Sequence, residues 1–228
     1  MRTIILLIFY LIAIILVSPV LLVFWALGKK EPVLDIGRWV MGVSRRILGL
    51  KVEVEGLENV DPRRSYVFMA NHVSFLDGPL LFYIIPQRVR VILKKGIFRI
   101  PVAGPAMRFI GFIPVDRKSL SSGKRSIDEA VQAMKEKRYS FLIFPEGTRS
   151  NDGKLHDFKR GGFFLAIAAQ TPIIPVTIKG TFELMPRGRI FVRRGKIKVI
   201  FHPTVETAGR TQADTPALMS QVFNQIGT

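Results

Sequence analysis

Residues 3–28 form an unbroken run of 26 residues without a charged side chain. As one helix the run reaches about 39 Å, enough to cross a hydrocarbon core of roughly 30 Å. It therefore reads as a membrane segment. Pro19, preceded by Ser18, lies inside it and predicts either a kink or a division into a re-entrant pair. A cleaved signal peptide is the alternative, but only Arg2 precedes the run, the run is long, and no small-x-small cleavage site follows. Lys29, Lys30, Arg38, Arg45 and Arg46 follow it, so the charge bias places the rest of the chain on the cytoplasmic side.

Beyond this run, Ile36, Val40, Val43, Ile47 and Leu50 recur at steps of four and three, while Arg38, Arg45 and Arg46 lie off that stripe. The pattern predicts an amphipathic helix in an anionic interface, with arginines near headgroups and Trp39 at the boundary. Packing of the same stripe on the main domain is the other reading. Residues 1–50 thus form a membrane segment plus amphipathic helix, and residues 51–228 form one domain.

Within 51–228 the pattern alternates. Residues 51–55 alternate polar and apolar as an edge strand does, residues 66–70 and 141–144 are short apolar runs, and Val89, Val91 and Leu93 mark a further strand. Ile127, Ala130, Val131 and Met134 have helical spacing, and residues 161–170 read as a helix. Residues 173–178 read as a strand carrying Pro175, and residues 190–192 with 196–201 as a hairpin around Arg194 and Gly195. Thr215 and Pro216 open a last helix with Met219, Val222, Phe223 and Ile226 on its apolar side. The alternation predicts an α/β fold whose central sheet is mostly parallel and flanked by helices.

Composition narrows the chemistry. The formal charge of +17 points to an acidic partner: a nucleic acid, an anionic membrane or a phosphorylated small molecule. With no cysteine there is no disulfide, thiolate nucleophile or thiolate metal site. His72, His156 and His202 are too far apart in sequence for a short-spaced zinc motif, so no metal is expected. Basic and aromatic residues are not interleaved as in single-strand readers, which argues against nucleic acid.

Chemistry is concentrated in Asn71-His72-Val73-Ser74-Phe75-Leu76-Asp77, where an apolar run meets a segment opening with Gly78 and Pro79. A neutral imidazole can accept a proton from a hydroxyl if a carboxylate fixes its tautomer, and His72 with Asp77 could form that pair. The offset of five residues works only across a turn or helix start. A structural reading competes: Asp77 as a helix N-cap, or Ser74 with Asp77 as a capping box. Phe144-Pro145-Glu146-Gly147-Thr148-Arg149-Ser150 also ends a strand; its glycine permits close approach, and Thr148 and Arg149 can donate to a phosphate. Here the competing reading is a tight loop in which Arg149 pairs with Glu146. Gly111-Phe112-Ile113-Pro114-Val115-Asp116-Arg117 likewise ends on an arginine, and Pro175-Val176 lies among apolar residues.

In this combination and order the blocks resemble those of the glycerophospholipid acyltransferases, most closely the bacterial 1-acylglycerol-3-phosphate (lysophosphatidic acid) acyltransferases. The resemblance covers residues 71–180 and extends to Lys94 and Lys95 and to Phe158-Lys159-Arg160-Gly161. It implies a membrane-bound enzyme of phospholipid biosynthesis at the bacterial inner membrane, catalytic domain in the cytoplasm. It would move an acyl group from acyl-CoA or acyl-acyl carrier protein to the sn-2 hydroxyl of lysophosphatidic acid, giving phosphatidic acid. His72 would be the general base and Asp77 its support. Lys95, Arg117, Thr148 and Arg149 would hold the acceptor phosphate, with Gly147 in the same loop and Glu146 orienting the glycerol or Arg149. No cofactor is implied. Three rivals stand beside this reading: an acyltransferase for another lysolipid, a thioesterase or other hydrolase, and a basic membrane-anchored binding module. No Gly-x-Ser-x-Gly elbow accompanies the histidine and aspartate.

Overall fold

A computed structural model describes residues 2–116 and 119–227. Two helices open the chain, α1 (Arg2–Ala26) and α2 (Lys30–Leu48), followed by β1 (Leu50–Glu55), β2 (Val67–Ala70), α3 (Asp77–Ile84), β3 (Val89–Lys94), α4 (Ala103–Phe109) and β4 (Ile113–Val115). The second half contains α5 (Leu120–Lys137), β5 (Ser140–Ile143), α6 (Gly161–Ala168), β6 (Ile173–Lys179), α7 (Thr181–Leu184), β7 (Gly195–Phe201) and α8 (Thr215–Ile226). The seven strands form one sheet in the order β1-β7-β6-β2-β5-β3-β4. From β6 to β4 all neighbours are parallel; β7 runs antiparallel to β6 and carries β1 parallel to itself. The expected mostly parallel α/β sheet is therefore observed.

The central strands are apolar throughout because both faces are covered. Every residue of β2 is buried; Phe68 and Ala70 join the core on one face, Val67 and Met69 that on the other. At the edge, β1 alternates buried or half-buried apolar positions with exposed polar ones, as its polar-apolar sequence predicts. On one face α6 packs very close: a Cβ on Gly162 would stand 3.1 Å from Ile143 and 3.3 Å from Met69.

One expected element is absent. Residues 190–192 form no strand, and β7 instead takes β6 and β1 as partners. Both hydrogen-bonding edges of β7 are then occupied, so no hairpin partner can be accepted. Ile190 and Phe191 are left in solvent.

The arginines of α2 do not all face outward. Arg38 donates to the carbonyls of Tyr83 (3.3 Å), Ile85 (2.9 Å) and Gln87 (3.0 Å), satisfying acceptors at the C-terminal end of α3. Arg45 donates to the Leu50 carbonyl at 3.3 Å and lies over the Tyr83 ring, whereas Arg46 is exposed. Glu31 pairs with the buried Arg90, and Asp35 with Arg88, each at 2.8 Å. Gly37 and Gly42 leave room for Phe82 and Tyr83, so α2 and α3 approach closely. Thus carbonyl acceptors at the end of α3 and at the start of β1, invisible in the sequence pattern, decide where two of the three arginines point.

The apolar helix α1 folds back on α2. Tyr10 accepts from Ser44 at 3.1 Å, the Phe9 and Trp39 rings are 6.3 Å apart, and Leu6 joins the core. The rest of α1 is largely exposed and apolar, including Ile15, Leu16 and Leu22.

Replacing Arg38 by glutamine should remove donors from the Tyr83 and Ile85 carbonyls at the end of α3. Thermal unfolding of the full chain in detergent should show a loss of about 1–3 kcal/mol. Arg46→Gln, at an exposed position, should stay within roughly 0.5 kcal/mol.

Candidate active site

Parallel strands send their C-terminal ends to one edge of the sheet, where open α/β sheets hold ligands. Here β2 delivers Asn71 and His72, β5 delivers residues 144–150, β3 delivers Lys95, and β6 delivers Thr181. Asn71 begins the loop as a side-chain extension of the sheet. Its Nδ2 donates to the Ile178 carbonyl (2.9 Å) and its Oδ1 accepts from the Ile178 N–H (2.7 Å). The sequence reading gave Asn71 no role, although a bidentate amide right after a buried strand suits such a side-chain extension.

His72 is held on every side but one. Its Nδ1 is 3.0 Å from Asp77 Oδ2, and its ring stacks on Phe144 with centroids 4.0 Å apart at 19°. Because a carboxylate can only accept, Nδ1 carries the hydrogen, leaving the lone pair on Nε2. Among the described residues none hydrogen-bonds Nε2, and the side chain retains a small exposed area. The main chain of His72 is also clamped: its N–H donates to Glu146 Oε1 at 2.6 Å, and its carbonyl accepts from Ser150 N–H at 2.8 Å.

Asp77 is fully buried. Oδ2 accepts from Val73 N–H (2.8 Å) and Ser74 N–H (2.7 Å) as well as from His72, while Oδ1 accepts from Thr181 Oγ1 (2.7 Å). Wrapping 73 and 74 around the carboxylate lets a five-residue offset bring the two side chains together. Only half of the capping box forms, since Ser74 Oγ accepts from Leu76 N–H and donates to the Met185 carbonyl. Asp77 thus organises the turn and orients the imidazole at once, so the two readings of the sequence are not exclusive.

Glu146 is buried and does not pair with Arg149. Its second oxygen accepts from His156 N–H at 3.0 Å, so both oxygens serve main-chain donors. Burial holds this carboxyl above the usual glutamate range, against the opposing pull of the two N–H donors. Gly147 adopts φ 73, and the Lys159 side chain crosses it within 3 Å of where a Cβ would stand. Lys159 N–H also donates to the Pro145 carbonyl at 2.8 Å, which fastens the loop from behind. Its place beside the loop followed from no periodicity.

The cations divide unevenly. Arg149 is half-buried with its guanidinium 5.8 Å from the Phe75 ring, and Thr148 is exposed on the same loop. Lys95 is exposed in the turn that follows β3. Arg117 lies outside the described residues. Among those described, no group of three or more histidines and carboxylates is placed to hold a metal ion.

Fold and site together define an α/β enzyme scaffold with a carboxylate-backed histidine at a strand end. The acyltransferase family model matches residues 51–179, more than half of the chain. The 1-acyl-sn-glycerol-3-phosphate acyltransferase alpha of Mus musculus is 32% identical over 209 residues, spanning 88% of this chain and 73% of that protein. A chloroplastic 1-acyl-sn-glycerol-3-phosphate acyltransferase of Brassica napus is 38% identical over 157 residues, covering 68% of this chain and 45% of its own length. The crystal structure of the 1-acyl-sn-glycerophosphate (LPA) acyltransferase PlsC from Thermotoga maritima superposes with a TM-score of 0.84 at 27% identity, covering 99% of this chain and 92% of that one. The chain belongs to the glycerophospholipid acyltransferase family.

Glu146→Gln keeps the shape but can accept from only one of its two N–H donors. A buried donor left unpaired should cost about 1–3 kcal/mol in urea unfolding of the full chain. Thr148→Ala, at an exposed position of the same loop, should change stability by no more than roughly 0.5 kcal/mol.

Proposed function

We propose that this chain transfers a fatty acyl group from an acyl thioester to the sn-2 hydroxyl of 1-acylglycerol-3-phosphate, producing phosphatidic acid. One observation carries the mechanism: His72 presents an Nε2 that no described residue engages, while a fully buried carboxylate holds its Nδ1–H. Nε2 removes the hydroxyl proton as the oxygen attacks the thioester carbonyl, and Asp77 stabilises the imidazolium that forms. Collapse of the tetrahedral intermediate breaks the carbon–sulfur bond. The departing thiolate, of coenzyme A or of the acyl carrier protein prosthetic group, takes the proton back from Nε2. No acyl-enzyme intervenes, and the chemistry requires neither metal ion nor cofactor.

Arg149 is the proposed main anchor of the acceptor phosphate, because a planar guanidinium suits bidentate phosphate contacts. Thr148 and Lys95 lie at the same sheet edge and complete the reading, with Arg117 as a further phosphate ligand. Glu146 acts in this scheme by placing His72 and not by touching the glycerol, since both of its oxygens are engaged. Names of the relatives support lysophosphatidic acid as the acceptor. A hydrolytic reading, with Ser74 as nucleophile, is weakened by that residue's complete burial and its bond to the Met185 carbonyl.

The membrane reading rests on α1. Its exposed apolar surface belongs in lipid, and its lay along α2 favours entry as part of a hairpin over a free-standing span. The catalytic domain would then sit on the cytoplasmic face of the bacterial inner membrane, drawing a lysolipid from the bilayer and a thioester from water.

Purified full-length protein offered a panel of lysolipids with both thioester types should acylate the phosphate-bearing acceptor in preference to the others. His72→Ala should remain folded and lose about a hundredfold to ten-thousandfold in turnover. Near-normal turnover would rule out the base. Arg149→Lys keeps the charge but loses the planar fork, so KM for the acceptor should rise while KM for the thioester holds. Equal changes for both substrates would remove Arg149 from the phosphate site.

A further inference from the structure

Residues 185–194 connect α7 to β7 along the active-site edge. At one end the Met185 carbonyl accepts from Ser74 in the His72 loop (2.7 Å), and Arg187 Nη1 donates to the Arg149 carbonyl (3.1 Å). At the other end Val192 N–H donates to Thr3 Oγ1 in the first turn of α1 (3.3 Å). The segment therefore bridges the site and the start of the apolar helix.

Midway along it stand two adjacent large apolar residues, Ile190 at 74% and Phe191 at 65% exposure. Arg187, Arg189, Arg193, Arg194 and Lys196 surround them, all exposed, and no carboxylate occurs from residue 184 to residue 205. Among the described residues no salt bridge engages Arg187, Arg189, Arg193 or Arg194. Protruding apolar side chains ringed by unpaired cations match the layering of an anionic bilayer surface, acyl chains below and phosphates above. An acidic protein would match the cations alone. Ile4, Ile5, Leu7 and Ile8 of the neighbouring helix are also exposed, so a partner protein would have to share this edge with lipid.

We propose that residues 186–194 are a second membrane contact, inserting Ile190 and Phe191 at the lipid boundary while the arginines bind anionic headgroups, so that the His72 site opens directly onto the bilayer surface. This rests on the reading of α1 as membrane-associated, and it adds a lipid preference that α1, uncharged from residue 3 onward, does not provide. The arrangement brings an anionic acceptor to the mouth of the site from the same surface that the arginines select.

Since the chain lacks cysteine, Phe191→Cys offers a single attachment point for an environment-sensitive fluorophore. Lys137→Cys, exposed at the opposite sheet edge, is the control. In full-length protein reconstituted into phosphatidylglycerol-containing vesicles, the label at 191 should shift to the blue and resist an aqueous quencher. Protection should weaken in phosphatidylcholine alone, and the label at 137 should stay accessible in both. Replacing Arg189, Arg193 and Arg194 together by glutamine should lower turnover of vesicle-embedded acceptor by about tenfold to a hundredfold. Turnover in detergent micelles should hold within about twofold. A label at 191 equally open to quencher in both kinds of vesicle would overturn the proposal. So would protection that requires added acyl carrier protein in place of anionic lipid. Absence of acyl transfer to any lysolipid in micelles, with the 191 label still protected, would sink the enzymatic reading and leave the docking surface standing.

Discussion

A carboxylate with no access to water organises this site. Burying an ionised aspartate without partners would cost several kcal/mol, and Asp77 survives burial only because four donors converge on it. Three come from the adjacent loop, and the fourth, Thr181, comes from a strand end more than a hundred residues later. Each donor is thereby held as firmly as the charge it satisfies. The orientation of His72 follows, because its Nδ1–H has one acceptor of that strength within reach and the Phe144 ring blocks tilting.

The same economy runs through the surrounding loops. Glu146 receives the N–H of His72 on one oxygen and that of His156 on the other, so the loop after β5 positions the histidine of the loop after β2. Asn71 ties the first of these loops to β6, and Ser74 ties it to the segment after α7. Three strand ends are locked by side chains acting on main-chain groups, while Arg149 and Lys95 form no salt bridge among the described residues.

The N-terminal hairpin is packed into the α/β domain and not merely attached to it. Glu31, Asp35 and Arg38 fasten α2 to β3 and α3 through ion pairs and carbonyl contacts, and α1 in turn packs on α2. Lipid contact through α1 would therefore set the height and tilt of the active site, because the connection between them is packed rather than tethered.

Much of this could be read from residue order. Periodicity marked most of the strands and the longer helices, the uncharged run marked α1, and the motif blocks marked His72, Asp77 and the Glu146 to Arg149 loop, because these signals depend on near neighbours in the chain. What sequence could not assign were contacts whose partners lie far away. Whether Asp77 capped a helix or held a histidine was open until Thr181 and the 73–74 turn closed around it. Glu146 looked like a partner for Arg149, three residues on, yet distant main-chain N–H groups claim it. Residues 190–192 have strand-like composition, but both edges of β7 were already taken. Arg38 and Arg45 looked like headgroup ligands until the carbonyls at the end of α3 and at Leu50 drew them inward. In each case a short-range pattern stated what a residue could pair with, and the packing of other elements decided which partner it reached.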